Sequence, residues 1–504
     1  MAITPQHTDY STWYLDIVAQ AWLAEHSAVR GCMVIKPYGY ALRDNMRIIL
    51  DRMFKNTGHK NAYFPLFIPK SYLSKEAQHV EWFAKECAVV THYRLRANED
   101  NTWVEVDPDA KLEEELVVRP TSETIIWHTY KNWIQSHRDL PLLINQRANV
   151  VRWELRTRLF LRTAEFLRQE WHTAHATAQD AIEESRRMLD VYYDFVHNFL
   201  GMYAILWEKP AHERFAWAEA TYTLEPMMQD GKALQAWTSH FLWQNFAKAF
   251  DVMYTTENNT KEYVWATSRW VSTRMIWGLI MAHSDDKWLV LPPAIAPLHI
   301  VIIPIAKTQE DMDSVREYVQ PLLDLIKKES LTFYSKYFDK TIDIECLFDD
   351  NLHHGFGRKA TQYELQGVPI RLVVGKKEME SWCVEMNIRR SWEKKHMEMD
   401  KLLAYIDKAL YKIQNDMCTK HKTFSQQNTI KVDSYEDLKA WIEKWFVLAH
   451  RDGTKETAEK IQTEIWATIR CLPFDEAGDL QQEIGTCVYS WKPSQRRVVF
   501  AKSY

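Results

Sequence analysis

The stretch VVRWELRTRLFLRTAEFLRQEWHTAHAT, Val150–Thr177, decides the fold. Its alternation of apolar and polar residues, broken in the middle, predicts strand, loop, strand. Side chains on a strand point to alternate faces. Arg152 and Glu154 therefore share a face in the first half, and Arg162, Ala164, Phe166, Arg168, Glu170 and His172 share one in the second. Charges gathered on one face are costly unless they are paired, solvated or facing a ligand. Two readings stand: an exposed sheet edge, or the wall of a pocket. If it is a pocket, the guanidinium forks match phosphate oxygens, and the carboxylates suit an ammonium or exocyclic amine.

Downstream, TAQD starts a helix with Thr177 as cap and Asp180 in its first turn. Its apolar stripe runs Ile182, Met188, Leu189, Tyr192, Phe195, Val196, Phe199. ATYTLEPMM, KALQAWTSHFL and EYVWATS read as further strands, followed by the helix VSTRMIWGLIMAHSD. Upstream, Tyr10 to Lys55 reads as mostly helical, interrupted by RGCMVIKPYGY (Arg30–Tyr40), a strand ending in a turn. The polar segment 95–115 reads as a surface loop. Strand neighbours lie close in sequence, which predicts an antiparallel sheet with helices packed on it. After PPAIAP (Pro292–Pro297) the pattern changes. LHIVIIPIA, TIDIECLF and VPIRLVVG alternate with helical stretches, predicting an α/β unit with a largely parallel sheet. A charged helix then leads to a mixed region from about residue 430 onward.

Composition sets limits. The 504 residues suit several domains, and 46% hydrophobic with 26% charged residues is a globular composition. The net charge of −5 gives no global basic field, so contact with nucleic acid must come from a local patch. Seven scattered cysteines without a CxxC predict reduced thiols in a cytosol-like, cytoplasmic setting. No signal peptide and no membrane span are expected. Two counts are unusual: 13 glycines where about 35 are usual, and 22 tryptophans.

Three other clusters bear on the opening stretch. RPTSE (Arg119–Glu123) is either a helix cap or a polar site. LQAWTSH (Leu234–His240) is a polar strand. VSTRMIWGLI puts Arg274 at the start of an apolar helix, as a surface residue or a ligand contact. In this order the segments resemble the class II aminoacyl-tRNA synthetases, specifically prolyl-tRNA synthetases of the archaeal and eukaryotic type. GCMVIKPYGY, the opening stretch and VSTRMIWGLIMAHSDDKWLVLPPAIAP resemble the three class II motifs. RPTSETIIWH, MQDGKALQAWTSH, QNFAKAFD and the closing FAKSY are particular to the prolyl enzyme. The span from Thr177 to Val271 leaves no room for the large editing insertion of the bacterial type.

The resemblance implies an α+β architecture in three parts: a class II antiparallel catalytic domain over 1–295, an α/β anticodon-binding domain over 296–405 and a small C-terminal α/β domain over 406–504. It implies ATP-dependent activation of L-proline and transfer to tRNA(Pro), with ATP and Mg²⁺, in a homodimer. Thr121 and Glu123 would hold the imino nitrogen, with His240 and Phe166 lining the proline site. Arg152 would sit on the carboxylate and α-phosphate. Glu154, Arg162, Thr163, Gln235 and Thr238 would bind ATP, and Ser272 and Arg274 would face the triphosphate. Arg152 and Arg274 are the expected catalytic groups. No bound zinc is expected, because Cys471 and Cys487 are too few for a tetrahedral site and read instead as buried thiols.

The departures from the family are systematic. Tryptophan stands at family glycine positions 171, 217, 237, 243, 270, 277, 288 and 491. Arginine stands at family tryptophan positions 147, 168 and 269, Ala164 replaces a usual arginine, and Leu159 a usual proline. Trp171 is expected beside the pocket, and Trp237 and then Trp270 are expected to crowd it. So uniform an exchange is not ordinary drift and points to altered specification at these positions. It also raises a rival expectation: a synthetase-like tRNA-binding protein without adenylation. A plain structural dimer is the third.

Overall fold

The computed structural model describes residues 3–74, 86–154, 156–215, 217–389, 394–474 and 480–504. Leu155 of the opening stretch lies outside them. Helix α1 (Tyr10–Gln20) and helix α2 (Pro37–Asn56) pack their apolar stripes into the main core; Leu42, Met46, Ile49, Leu50 and Met53 are all buried. The PYGY segment expected as a turn is instead the first turn of α2. Pro37 needs no N–H there, and a Cβ at Gly39 would collide with the carbonyl of Leu23. Segment 95–115, expected as a loop, forms strands. Leu95–Ala97 pairs with Val104–Val106, and Lys111–Val118 pairs with Phe67–Pro69 and Ala88–His92.

The catalytic half is built on seven strands: β1 (Lys60–Ala62), β2 (Leu142–Val151), β3 (Glu165–His175), β4 (Ile205–Glu208), β5 (Ala220–Glu225), β6 (Trp237–Phe241) and β7 (Trp265–Ser272). Its helices are α3 (Glu123–Trp133), α4 (Ala178–Asn198) and α5 (Arg274–His283). The Thr177 hydroxyl accepts from the Asp180 N–H at 3.1 Å and starts α4 as expected. All pairings from β2 to β7 are antiparallel; β1 adds in parallel on β2.

The second unit has β8 (Ile300–Pro304), β9 (Cys346–Phe348), β10 (Ile370–Val374), β11 (Cys383–Ile388) and β12 (Lys394–Glu398), in the order β9-β8-β10-β11-β12. The first three are parallel and the last two antiparallel, so the sheet is mixed. Helices α6 (Gln309–Ile326) and α7 (Phe356–Leu365) connect them, and α8 (Met399–Gln427) leads out.

Four of the strands after α8 are β13 (Thr429–Lys431), β14 (Phe446–His450), β15 (Thr468–Pro473) and β16 (Arg497–Ala501). They do not form a separate sheet. β15 pairs with β4, giving one continuous order β13-β14-β16-β15-β4-β5-β6-β7-β3-β2-β1. The chain end folds back onto the catalytic half: the Ala233 N–H donates to Lys502 O at 2.9 Å, and the Tyr504 hydroxyl bonds Asp230. Among the described residues no helix is long and apolar enough to cross a membrane. Cys471 and Cys487 are buried and free of disulfides.

Candidate active site

The central sheet has two unlike faces, and the strand period of two sorts every residue between them. One face is covered by α4. Trp171, Trp237 and Val271 belong to the core on that side, and buried Arg269 reaches Glu184 of α4 at 3.1 Å. The other face carries Arg168, Glu170 and His172 of β3, Thr238 and His240 of β6, and Ser268, Trp270 and Ser272 of β7. Registry places them side by side: Arg168 opposite Ser272, Glu170 opposite Trp270, Thr238 opposite Trp270 and His240 opposite Ser268. The charged face of the opening stretch is therefore an interior wall, not a sheet edge.

Beyond the ends of these strands lies a cavity of about 360 Å³. Arg152, Glu154, Arg162, Thr163, Phe166, Ser272 and Arg274 all line it, and so do Glu86 and Trp270. Arg162 and Ala164 belong to the turn before β3 and not to the strand itself. Arg152 is held by its Nε donating to Pro120 O at 3.0 Å, with its guanidinium 5.9 Å from the Phe166 ring centre. Arg274 opens α5; its Nε donates to Leu161 O at 3.2 Å and its Nη1 to Gln235 O at 3.1 Å. Burial, and then Arg168, pull Arg152 down to about 10; burial, and then Arg162, do the same to Arg274. Both remain cations at neutral pH.

Behind Arg152 a second polar group closes the wall. The Thr121 hydroxyl donates to Glu123 at the start of α3 and accepts from Arg168 Nη2 at 3.2 Å. Ser122 makes no helix-capping bond; its hydroxyl donates to Glu170. RPTSE is therefore part of the polar wall and not a simple cap. Burial opposes the charge on Glu170, but Arg168 and His172 override it and hold the carboxyl below the usual carboxylate range. Arg168 Nε and His172 Nδ1 are buried without a hydrogen-bond partner. Sequence reasoning placed Arg168, Glu170 and His172 on this face without assigning them a role. Glu86 was missed, since nothing in its local sequence sets it apart.

Besides Thr121 and Glu123, which stand behind the wall, three expected residues do not line the cavity. The Gln235 side chain accepts from Arg470 Nη2 at 3.4 Å, and only its carbonyl serves the site, through Arg274. Thr238 is buried on the shared face. His240 bonds the Thr221 hydroxyl at 3.0 Å and stacks near Phe215. Burial first, then Arg269 and His172, lower His240 to about 3, so it is neutral and has no acid–base role at physiological pH. Two tryptophan expectations are corrected. Trp171 and Trp237 face α4, on the opposite side from the cavity, and Trp171 meets Phe54 at 4.0 Å between ring centres, closer than the usual range of about 4.5–7 Å. Only Trp270 of the expected intruders stands on the cavity wall.

Comparison with known proteins identifies the family. Residues 103–283 match the tRNA synthetase class II core domain (G, H, P, S and T), 299–409 the anticodon binding domain, and 435–504 the C-terminal domain of prolyl-tRNA synthetase. A proline–tRNA ligase from Bacteroides fragilis is 54% identical over 503 residues, covering 100% of this chain and 99% of that one. The chain belongs to the prolyl-tRNA synthetase family. A Cytophaga hutchinsonii proline–tRNA ligase is 53% identical over 98% of both chains. The structure of prolyl-tRNA synthetase from Cryptosporidium parvum complexed with L-proline and AMP superposes with a TM-score of 0.86 at 29% identity, covering 100% of this chain and 99% of that one. A complex of the same enzyme with halofuginone and AMPPNP gives 0.86 at 30% identity. The two curated relatives are bacterial and do not support the archaeal and eukaryotic type expected from the motifs.

Proposed function

We propose that this chain activates L-proline with ATP and transfers it to tRNA(Pro). The observation that carries the reading is the convergence of Arg152, Arg162 and Arg274 with Glu154, Thr163, Phe166 and Ser272 on one cavity. Arg152 links that cavity to the Thr121–Glu123 corner through Pro120. In the proposed reaction the proline carboxylate attacks the α-phosphate and pyrophosphate leaves. Catalysis is then positioning and charge neutralisation. Arg152 sits between the carboxylate and the α-phosphate, Arg274 and Ser272 meet the triphosphate, and Phe166 packs on the adenine and proline side. Thr121 and Glu123 offer acceptors to the imino N–H groups. Glu154, Arg162 and Thr163 contact ATP, with Gln235, Thr238 and His240 supporting from behind. A hydroxyl of the terminal tRNA ribose then attacks the prolyl carbonyl carbon; the bond to the phosphate oxygen breaks, AMP leaves, and the hydroxyl proton is released.

The donor set fits Mg²⁺, a hard ion that needs one or two carboxylates beside phosphate oxygens. Glu86 and Glu154 are the carboxylates on the cavity wall. Bound there, the ion would neutralise phosphate charge. The α/β unit would read unstacked anticodon bases by stacking and edge contacts. Domain limits of 1–295, 296–405 and 406–504, a homodimer through the first motif, a cytoplasmic setting and no bound zinc complete the proposal.

Proline-dependent ATP–pyrophosphate exchange tests it. Exchange that requires proline supports the reading, and its absence from folded protein overturns it. Trp270 favours the second reading, tRNA binding without adenylation, because a tryptophan stands on the cavity wall at a family glycine position. Trp270→Gly is therefore expected to lower the KM for ATP by roughly tenfold, the equivalent of about 1.4 kcal/mol of relieved crowding. An unchanged KM means that the indole does not obstruct the nucleotide.

A further inference from the structure

Ten non-glycine residues among those described have φ between +52° and +72°. Asn101, Asp251 and Asn259 are of the types that tolerate this left-handed region. Of the other seven, six are tryptophans: Trp22, Trp217, Trp243, Trp382, Trp466 and Trp491. Six glycines share the region, so here tryptophan is as frequent as the residue built for it. A bulky aromatic gains nothing from that conformation, whereas glycine adopts it freely.

The surrounding backbone makes the same demand. Trp22 follows α1 in a complete Schellman closure: its N–H donates to Ala19 O at 3.1 Å and the Leu23 N–H to Val18 O at 3.0 Å. Glycine is the usual residue at that position. Trp382 takes the same place after the helix Lys376–Glu380, donating to Met379 O at 3.3 Å. Trp466 is the left-handed cap of the helix Lys455–Ile465. Trp217 is third in a turn closed by the Ala218 N–H on Phe215 O. Trp491 donates to Cys487 O in the turn before Pro493–Ser494.

For five of them the ring does not explain the choice; Trp217 is the exception, half-buried with its ring centre 5.0 Å from that of Phe246. Trp466 and Trp491 are 80% and 77% exposed, and Trp22, Trp243 and Trp382 are also exposed. Trp13 is the contrast: fully buried, in a helix, with its indole N–H donating to Asp285 O at 2.9 Å. Its side chain is used and its backbone is ordinary. The glycine shortage of the whole chain points the same way as the six turns.

We propose that the cell that makes this protein inserts glycine at these six positions: the codon that stands at them, different from the one at Trp13, is decoded there as glycine. The positions follow from backbone conformation and closing hydrogen bonds, independently of the adenylation reading. Peptide mass spectrometry of the protein purified from its own source tests it directly. Glycine masses are expected at all six positions, with tryptophan retained at Trp13. Tryptophan masses at the six overturn the proposal. Recombinant variants give a second measurement. Joint replacement Trp22→Gly, Trp217→Gly, Trp243→Gly, Trp382→Gly, Trp466→Gly and Trp491→Gly is expected to raise the thermal unfolding midpoint, whereas Trp13→Gly lowers it. A lower midpoint for the six-fold variant also counts against the proposal.

Discussion

Replacing Arg274 by alanine is expected to lower the rate of proline-dependent ATP–pyrophosphate exchange by about 10²–10³-fold, the loss associated with removing one preorganised charge stabiliser. The guanidinium is committed at two points, to the carbonyls of Leu161 and Gln235, which fix the direction of its remaining donors. Those donors point into the cavity shared with Arg152 and Arg162. Alanine removes both the charge and the bridge between the 159–163 turn and the segment before β6. Lysine is expected to recover little. A point charge cannot hold two carbonyls and also present a fork to phosphate. In the proposed reaction the guanidinium meets the phosphates and not the amino acid, so the loss should fall mainly on turnover, with a smaller effect on the KM for proline. Exchange kinetics with circular dichroism of the variant check this. A folded Arg274→Ala protein within a few-fold of the parent rate would falsify the assigned role.

How far the site could be read from the chain depended on where the information lies. A strand carries its own two-fold alternation, so the shared face of Arg168, Glu170 and His172 was legible from the opening stretch alone. The same alternation puts Trp171 on the opposite face, against Phe54 and Tyr192. What the sequence lacked was the neighbouring layer: without knowing that α4 covers one side, a glycine-position tryptophan reads as a threat to the pocket. Segment 95–115 misled for a related reason. Its first two strands are three residues each and exposed on both faces, too short to show a hydrophobic period. The pairing of β15 with β4 joins segments far apart in the chain, and no local signal encodes it. Gln235 failed as a ligand candidate because it precedes β6, where strand alternation does not govern its side chain.

That long-range junction is held by a buried ion cluster, and breaking it is the largest stability effect expected here. Glu225 of β5 takes Lys209 Nζ at 2.5 Å and Arg470 Nε of β15 at 2.7 Å, with all three side chains buried. Glu225→Ala leaves two cations facing each other without water, at a cost of about 3–5 kcal/mol, and should lower the thermal midpoint and loosen β15 from β4. Replacing all three residues together by apolar side chains of similar volume should cost far less, because the penalty belongs to the orphaned charges and not to the missing bonds. The pH dependence has a definite sign. Burial alone would raise the Glu225 carboxyl, but Arg470 and Lys209 override it and hold it below its ordinary value. A carboxyl lowered on folding stabilises the fold above the unfolded-state value of about 4.3. That contribution fades as pH falls through the folded value. Acid titration followed by fluorescence should therefore show the parent losing stability below about pH 4, while the apolar triple variant has a shallower slope over that range. Equal slopes in the two proteins would mean that the cluster does not govern acid stability and that the sheet junction is held by its backbone ladder alone.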